Sequence, residues 1–209
     1  MTLPKAKKRR TQAERRQRSL GAILDVATDI LAREGYGRFS SSRVAGEAGL
    51  SRGALEHYFP KRLDLVAATC QHAMDQAVEE TRQFSSRPEL SEDPIGTFLA
   101  ASEHFFFTPA YNAQIEVLIA ARAEPDLAER VLPIIADARR RLDSIWIETL
   151  SASGHDHDKA SRFVEMSHLL LRGMFVVETW LPYAMDRERV LADWRRIAPA
   201  AMSALREET

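Results

Sequence analysis

The sequence has few of the features that mark exported, membrane-spanning or disulfide-linked proteins. It contains a single cysteine, Cys70, so no disulfide can form within the chain. No apolar run approaches the roughly 18 residues that a membrane-spanning helix needs, and the basic N-terminus lacks the apolar stretch of a signal peptide. We therefore expect a protein of the reducing cytoplasm, without a membrane partner, in which Cys70 serves core packing.

Motifs of the common enzyme classes are also missing, including a glycine-rich phosphate loop, H-E-x-x-H and G-x-S-x-G. His155-Asp-His-Asp158 places four potential metal ligands in a row, but consecutive residues do not easily converge on one ion. We interpret this run as an interhelical loop in which Asp158 caps the next helix. We expect no catalytic residue, no metal and no cofactor. The competing hypothesis, a metal- or His/Asp-dependent enzyme, requires His155 and His157 for activity.

No segment alternates apolar and polar residues as a β-strand does, whereas apolar residues recur at three- and four-residue spacing throughout. This pattern predicts an all-α protein of about nine helices, with proline near several helix starts. Pro133 and Pro199 fall inside predicted helices and are expected to kink or divide them. Outside the segment 41–59, the predicted helices are 11–34, 61–84, 94–107, 110–123, 126–150, 159–184 and 187–206, with a loop at 85–93.

Charge is distributed unevenly along a nearly neutral chain. Residues 1–62 hold 14 Lys/Arg and 6 Asp/Glu, a net charge of +8, and residues 63–209 hold 15 and 24, a net charge of −9. A basic arm at residues 1–10 is suited to DNA phosphates or a minor groove. This asymmetry predicts a basic module for a polyanion joined to an acidic body with another task.

The segment 41–59 has the spacing of a helix-turn-helix. Small and apolar residues stand where two short helices cross, and Gly49 stands where the chain reverses. Ser51 is placed to cap the second helix, while Leu55 and Phe59, four residues apart, face the core. An ordinary helical hairpin would share this pattern, but the basic charge favours a DNA-binding module.

The last two predicted helices carry heptad-like seams, which indicate a hairpin that pairs with a second copy as a four-helix bundle. Gly173 lies in the middle of one seam, where another helix could approach closely. Alternatively, both seams face the chain's own core. The predicted dimer residues are Phe163, Met166, Leu170, Gly173, Val177, Trp180, Val190, Trp194, Ile197 and Ala201.

Taken together, residues 19–66 resemble the TetR family of bacterial transcriptional regulators. The resemblance implies a three-helix DNA-binding head, a ligand-binding body that dimerises through its last two helices, and neither cofactor nor catalysis. We place the head at 1–62, with the motif at about 40–59, and the body at 63–209. The matching residues are Ala22-Ile-Leu-Asp-Val-Ala27, Glu34-Gly-Tyr36, Ser40, Val44-Ala45, Ala48-Gly-Leu-Ser51, Gly53, Leu55, Phe59-Pro60 and Leu65.

The resemblance also implies which side chains meet DNA. Arg52 is the best candidate for reading a base, because a guanidinium fits the O6 and N7 atoms of guanine. The sequence departs from the family at Glu56, usually Tyr, and at Tyr58, usually His; Glu56 could accept from a cytosine, orient Arg52 or His57, or face water. The implied DNA-binding residues are Ser40, Ser51, Arg52, Gly53, Ala54, His57, Tyr58, Lys61 and Arg62.

The body should contain an effector pocket whose chemistry the sequence constrains loosely. Glu165, His168 and Arg172 share one stripe of a helix, and such groups are either solvated, paired with each other or turned toward a polar ligand. The apolar candidates could equally fill a solid core. The candidate ligand-binding residues are His104, Phe105, Glu116, Leu118, Trp146, His168, Arg172 and Phe175.

These features predict a ligand-responsive transcriptional regulator in the bacterial cytoplasm, associated with the nucleoid. It would bind a palindromic double-stranded operator as a homodimer, repress transcription, and be released by an unidentified small molecule. An activator of the same fold is one alternative. An architectural DNA-binding protein without ligand control is another, and it predicts weak sequence preference and a body without a cavity.

Overall fold

The computed structural model describes residues 12–205, which form nine α-helices and no strand. This confirms the predicted all-α fold. Within this range, no helix combines the length and apolar character needed to cross a membrane. The helices are α1 (Gln12–Glu34), α2 (Ser41–Glu47), α3 (Arg52–Tyr58), α4 (Arg62–Ser85), α5 (Pro94–Phe106), α6 (Pro109–Ala121), α7 (Pro125–Ala152), α8 (His157–Trp180) and α9 (Arg187–Ala204).

Helix starts follow the predicted punctuation. Pro94, Pro109 and Pro125 occupy the first positions of α5, α6 and α7. Proline is suited to these positions because an N–H in the first turn has no acceptor within the helix. The Ser40 and Ser51 side chains accept hydrogen bonds from backbone N–H groups at the starts of α2 and α3. Such caps satisfy donors that the helix itself leaves open.

Three local predictions need correction. Asp156, rather than Asp158, caps α8 by accepting from the Lys159 backbone N–H at 2.9 Å. Of the two outcomes expected at Pro133 and Pro199, a kink or a division, division does not occur, because both helices run through these positions. The predicted loop at 85–93 contains a short 3₁₀ turn, Pro88–Ser91. The basic arm at 1–10 lies outside the described residues.

The largest buried cluster unites the N-terminal helices with the body. It includes Leu31 of α1, Leu55 of α3, Leu65 of α4, Val117 of α6 and Leu127 of α7, all nearly inaccessible to solvent. Helix α1 packs against α4 and α6, and α4 packs along α7. The core therefore continues across the predicted boundary between residues 62 and 63.

A second cluster fills the far end of the body, where Phe98, Trp146 and Phe163 meet.

Cys70 lies in the first cluster, and burial raises the pKa of its thiol to about 12. The thiol is therefore protonated at neutral pH, which agrees with a packing role.

Candidate functional site

Helices α2 and α3 form the predicted helix-turn-helix. Gly49 takes a positive φ of 68° in the turn, a conformation that favours glycine. The Leu50 N–H donates to the Ala45 carbonyl at 2.8 Å and closes the turn. Leu55 and Phe59 point into the core, so the opposite side of α3 faces solvent.

The outward side of α3 presents the residues predicted to contact DNA. Arg52, Gly53 and His57 are exposed, and Ala54 is half-buried. The Arg52 Nε donates to Glu56 Oε1 at 2.7 Å, and 72% of the Arg52 side chain is exposed. Of the roles considered for Glu56, this geometry favours orientation of Arg52.

Lys61 and Arg62 are adjacent but have different surroundings. Lys61 is exposed at the start of α4. The Arg62 guanidinium donates from its three nitrogens to the Phe39 carbonyl, the Tyr36 hydroxyl and the Tyr36 carbonyl, at 3.0, 3.0 and 2.7 Å. The Tyr36 hydroxyl in turn donates to Glu124 at 2.8 Å. We therefore assign Arg62 to holding the turn before α2 and leave it out of the proposed DNA contacts.

A charged cluster that the sequence did not suggest joins α1 to α2. Arg33 and Arg43 pair with Glu34 and Glu47. A hydrogen bond from Arg43 lowers the pKa of the Glu34 carboxyl, and Arg33 adds to the effect. The cluster fixes the approach of α2 to the end of α1. The contacts that join α1 to α2 link residues 9 and 14 positions apart, so no helix period revealed them.

A cavity of about 360 Å³ lies among α4, α5, α6, α7 and α8. Its wall is mostly apolar. Five of the eight predicted ligand-binding residues contribute to it, namely Phe105, Leu118, Trp146, His168 and Arg172.

The other three predicted ligand-binding residues lie outside this cavity. His104 is exposed, with its Nε2 atom 3.9 Å from a Glu80 carboxylate oxygen. Glu116 faces the end of α1, where a Cβ at Gly35 would come 2.8 Å from a Glu116 carboxylate oxygen. Phe175 lines a separate groove beside α1. Helix periodicity identified the helices around the cavity, but it did not show which side of each helix faces the cavity.

A chain of hydrogen bonds fixes His168 at the cavity wall. Its Nδ1 atom lies 2.9 Å from Asp143 Oδ1, and its Nε2 atom lies 3.3 Å from Ser102 Oγ. Burial lowers the pKa of His168 despite the opposing effect of Asp143. The neutral ring therefore donates from Nδ1 to Asp143 and accepts from Ser102 at Nε2.

The order of these groups matches that of a serine hydrolase triad, but their setting differs. Ser102 lies inside α5, where neighbouring backbone N–H groups are used in helix hydrogen bonds. A triad enzyme needs free donors for the oxyanion. We therefore interpret these hydrogen bonds as holding the His168 ring in one orientation, while burial favours its neutral form.

Two arginines and two neutral polar groups complete the cavity wall. Arg172 approaches the Phe106 ring, with 5.5 Å between the guanidinium carbon and the ring centroid. Arg139 lies 3.7 Å from Asp143. Burial raises the pKa of Tyr111 to about 12, so its hydroxyl is neutral, and the Gln114 side-chain oxygen has no hydrogen-bond partner among the described residues.

Residues 23–69 match the family model for bacterial regulatory proteins of the tetR family. The chain is also 30% identical to the HTH-type transcriptional regulator CymR of Pseudomonas putida, over 87% of this chain and 88% of that protein. The chain belongs to the TetR family. It is thus a helix-turn-helix transcriptional regulator. A second relative of this TetR-family chain, the BetI regulator of Brucella anthropi, is 24% identical over 74% of this chain and 78% of that protein.

Solved structures show the same fold. A transcriptional regulator from Rhodococcus superposes with a TM-score of 0.65 at 19% identity, covering 88% of this TetR-family chain and 96% of that chain. A protein from Saccharomonospora viridis, solved in complex with choline, gives 0.67 at 16% identity, covering 90% and 97%. The multidrug binding protein EbrR, complexed with ethidium, gives 0.57 at 20% identity, covering 86% and 98%.

The outer face of α8 and α9 in this TetR-family regulator is apolar and exposed. On α8 the exposed stripe runs through Met166, Leu169, Gly173, Val176 and Trp180, and Ile197 extends it onto α9. A Cβ at Gly173 would meet no atom within 4 Å, so this face is open at its centre. We refer to these six residues as the α8–α9 face.

The predicted dimer residues coincide with the α8–α9 face only in part. Met166, Gly173, Trp180 and Ile197 belong to it. Phe163 is instead buried in the chain's own core, between Phe98 and Trp194. The remaining five are half-buried, namely Leu170, Val177, Val190, Trp194 and Ala201. Of these, Leu170, Val190 and Trp194 pack against the chain's own core. The heptad count began from a core residue and therefore does not include Leu169 and Val176, which are exposed.

Proposed function

We propose that this protein is a repressor that binds a palindromic operator as a homodimer and is released by a small molecule bound in the body. Residues 1–62 would form the DNA-binding head, and residues 63–209 would form the effector-binding and dimerisation body. The protein would act on operator DNA in a bacterial cytoplasm. The single observation that carries this proposal is that α6 contacts both the cavity and the head.

Helix α6 presents different sides to the two regions. Tyr111, Gln114 and Leu118 line the cavity. On the opposite side, the Asn112 Nδ2 donates to the Ala32 carbonyl at the end of α1, at 2.8 Å, and Glu116 packs against Gly35. A ligand that shifts α6 would therefore move α1 and the helix-turn-helix attached to it.

Dimerisation supplies the link between that movement and DNA release. Two heads read half-sites about 34 Å apart. A ligand that binds more tightly to a state with another head separation therefore lowers operator affinity. The size of this effect is limited by the ligand's difference in affinity for the two states. The α8–α9 face supports a dimer because it is apolar, exposed and open at Gly173. The complexes of two structural neighbours with choline and ethidium support a small molecule as the effector.

Selection from a random duplex library at physiological salt tests the DNA-binding part of the proposal. We expect a palindrome whose half-sites lie about one helical turn apart. Binding without sequence enrichment, together with a steep loss of affinity at higher salt, would favour the architectural alternative. Transcription in vitro from a promoter that carries the selected site distinguishes the modes, because a repressor lowers transcript yield and an activator raises it.

A further inference from the structure

The charged groups at the cavity do not balance. Asp143 is already engaged with His168 at 2.9 Å and with Arg139 at 3.7 Å. Arg172 lines the same cavity, and none of the described carboxylates lies within 4 Å of its guanidinium. Since His168 is neutral, two arginines face one carboxylate and the cavity carries an excess of one positive charge.

The surroundings of Arg172 make this excess charge unusual. The Arg172 guanidinium approaches the Phe106 ring and makes a hydrogen bond with the neutral Tyr111 hydroxyl. Burial lowers the pKa of Arg172, and repulsion from Arg139 lowers it further. A partly buried cation without a counter-charge is costly, and a guanidinium binds a carboxylate through two parallel hydrogen bonds.

The remainder of the wall specifies the body of the ligand. Aromatic and aliphatic side chains dominate, with Phe105, Phe106 and Trp146 among them. The cavity volume of about 360 Å³ lies near the lower end of the usual range for small-molecule sites, roughly 300–1,000 Å³. These dimensions suit one substituted ring or one medium-length chain.

We infer that the cavity takes an amphipathic monoanion, whose carboxylate pairs with Arg172 and whose apolar body lies among the aromatic side chains. This inference rests on the proposed function, because it names the chemical class of the effector for the same cavity. The Gln114 amide offers the ligand a second polar contact. Arg139 strengthens the attraction but remains bound to Asp143.

Matched probes separate the contribution of charge from that of shape. Isothermal titration calorimetry on the full chain would compare 4-tert-butylbenzoate, 4-tert-butylbenzamide and 4-tert-butylbenzylammonium, and then octanoate with octanamide. The variants are Arg172→Met, which removes the charge, and Arg172→Lys, which keeps it. Arg140→Met is the control, because Arg140 is exposed on α7 and does not line the cavity.

We expect at least one carboxylate to bind the wild-type protein about tenfold more tightly than its amide or ammonium counterpart. This ratio should fall to near one in Arg172→Met and persist in Arg140→Met. Arg172→Lys should keep a preference for the anion, even if Arg172→Met does not fold. Equal or tighter binding of an amide or the ammonium probe, or no binding by any probe at millimolar concentration, would overturn the inference.

The same samples distinguish failure of this inference from failure of the proposed function. If a neutral or cationic probe binds and releases the selected operator, the effector is not an anion but ligand-controlled repression stands. If a carboxylate binds through Arg172 while operator affinity stays unchanged, the ligand class stands and release by ligand is wrong.

Discussion

At the scale of single residues, Lys61 and Arg62 illustrate how neighbours of equal charge take different tasks. Lys61 is exposed, whereas Arg62 uses all three guanidinium nitrogens within the protein. We predict that Arg62→Met lowers the free energy of unfolding by about 1–3 kcal/mol, because three part-buried acceptors lose a charged donor. We predict that Lys61→Met leaves stability unchanged, weakens DNA binding, and reduces the salt slope by about one.

Urea unfolding and DNA titration at several salt concentrations measure both effects. The two variants control for each other, because Lys61 and Arg62 are adjacent and each substitution removes one positive charge. If Arg62→Met retained wild-type stability but lost DNA affinity across all sequences, Arg62 would be a phosphate contact and our assignment would be wrong.

His168 provides a residue-scale prediction about pH. Its ordinary pKa of 6.5 is lowered in the folded protein by burial and by Arg172 and Arg139, against the opposite effect of Asp143. Between the folded and unfolded pKa values only the unfolded state is protonated, so the free energy of unfolding should decrease as the pH falls below 6.5. We predict that His168→Gln, which cannot titrate, loses less stability between pH 7.5 and pH 5.5 than the wild-type protein does.

Urea unfolding at both pH values, at one fixed protein concentration, measures this difference. His104→Gln is the control, because His104 is exposed on the neighbouring α5. We expect this control to follow the wild-type protein. Equal pH dependence of His168→Gln and the wild-type protein would mean that His168 protonates freely in the folded state.

At the scale of helices, the α8–α9 face gives a prediction about assembly. Leu169 is 55% exposed in this face, and Ile119, which is 45% exposed on α6, lies outside it. We predict that Leu169→Glu converts the proposed dimer to a monomer, because the proposed interface would bury an unpaired charge. Sedimentation velocity measures the change. Ile119→Glu should remain dimeric, and a dimeric Leu169→Glu would show that the partner binds elsewhere.

The sequence predicted the helices better than the faces that they present. Apolar spacing and proline positions placed nearly every helix within a few residues, because both signals are local. The site depended on side chains that meet across helices. Asp143 and Ser102 follow no motif, yet both contact His168. On α8, Leu169 is exposed, whereas its neighbour Leu170, which the sequence predicted for the interface, is half-buried.

At the scale of the whole molecule, the proposed function predicts a reciprocal effect. If an effector weakens operator binding by a given factor, the operator must weaken effector binding by the same factor, because both ligands share one thermodynamic cycle. Calorimetry of the effector with free protein and with operator-bound protein measures the two affinities. Scrambled DNA of equal length is the control. An effector affinity that is the same for free and operator-bound protein would contradict release by a ligand.

The continuous core across residues 62 and 63 limits how this regulator can be re-engineered. Leu31 and Leu55 pack in one cluster with Val117 and Leu127, which belong to the body. A hybrid biosensor that joins this head to a foreign body would therefore need matching surfaces on the new α4, α6 and α7. Specificity for DNA is more readily exchanged by changing the exposed side of α3, because those side chains leave the shared core intact.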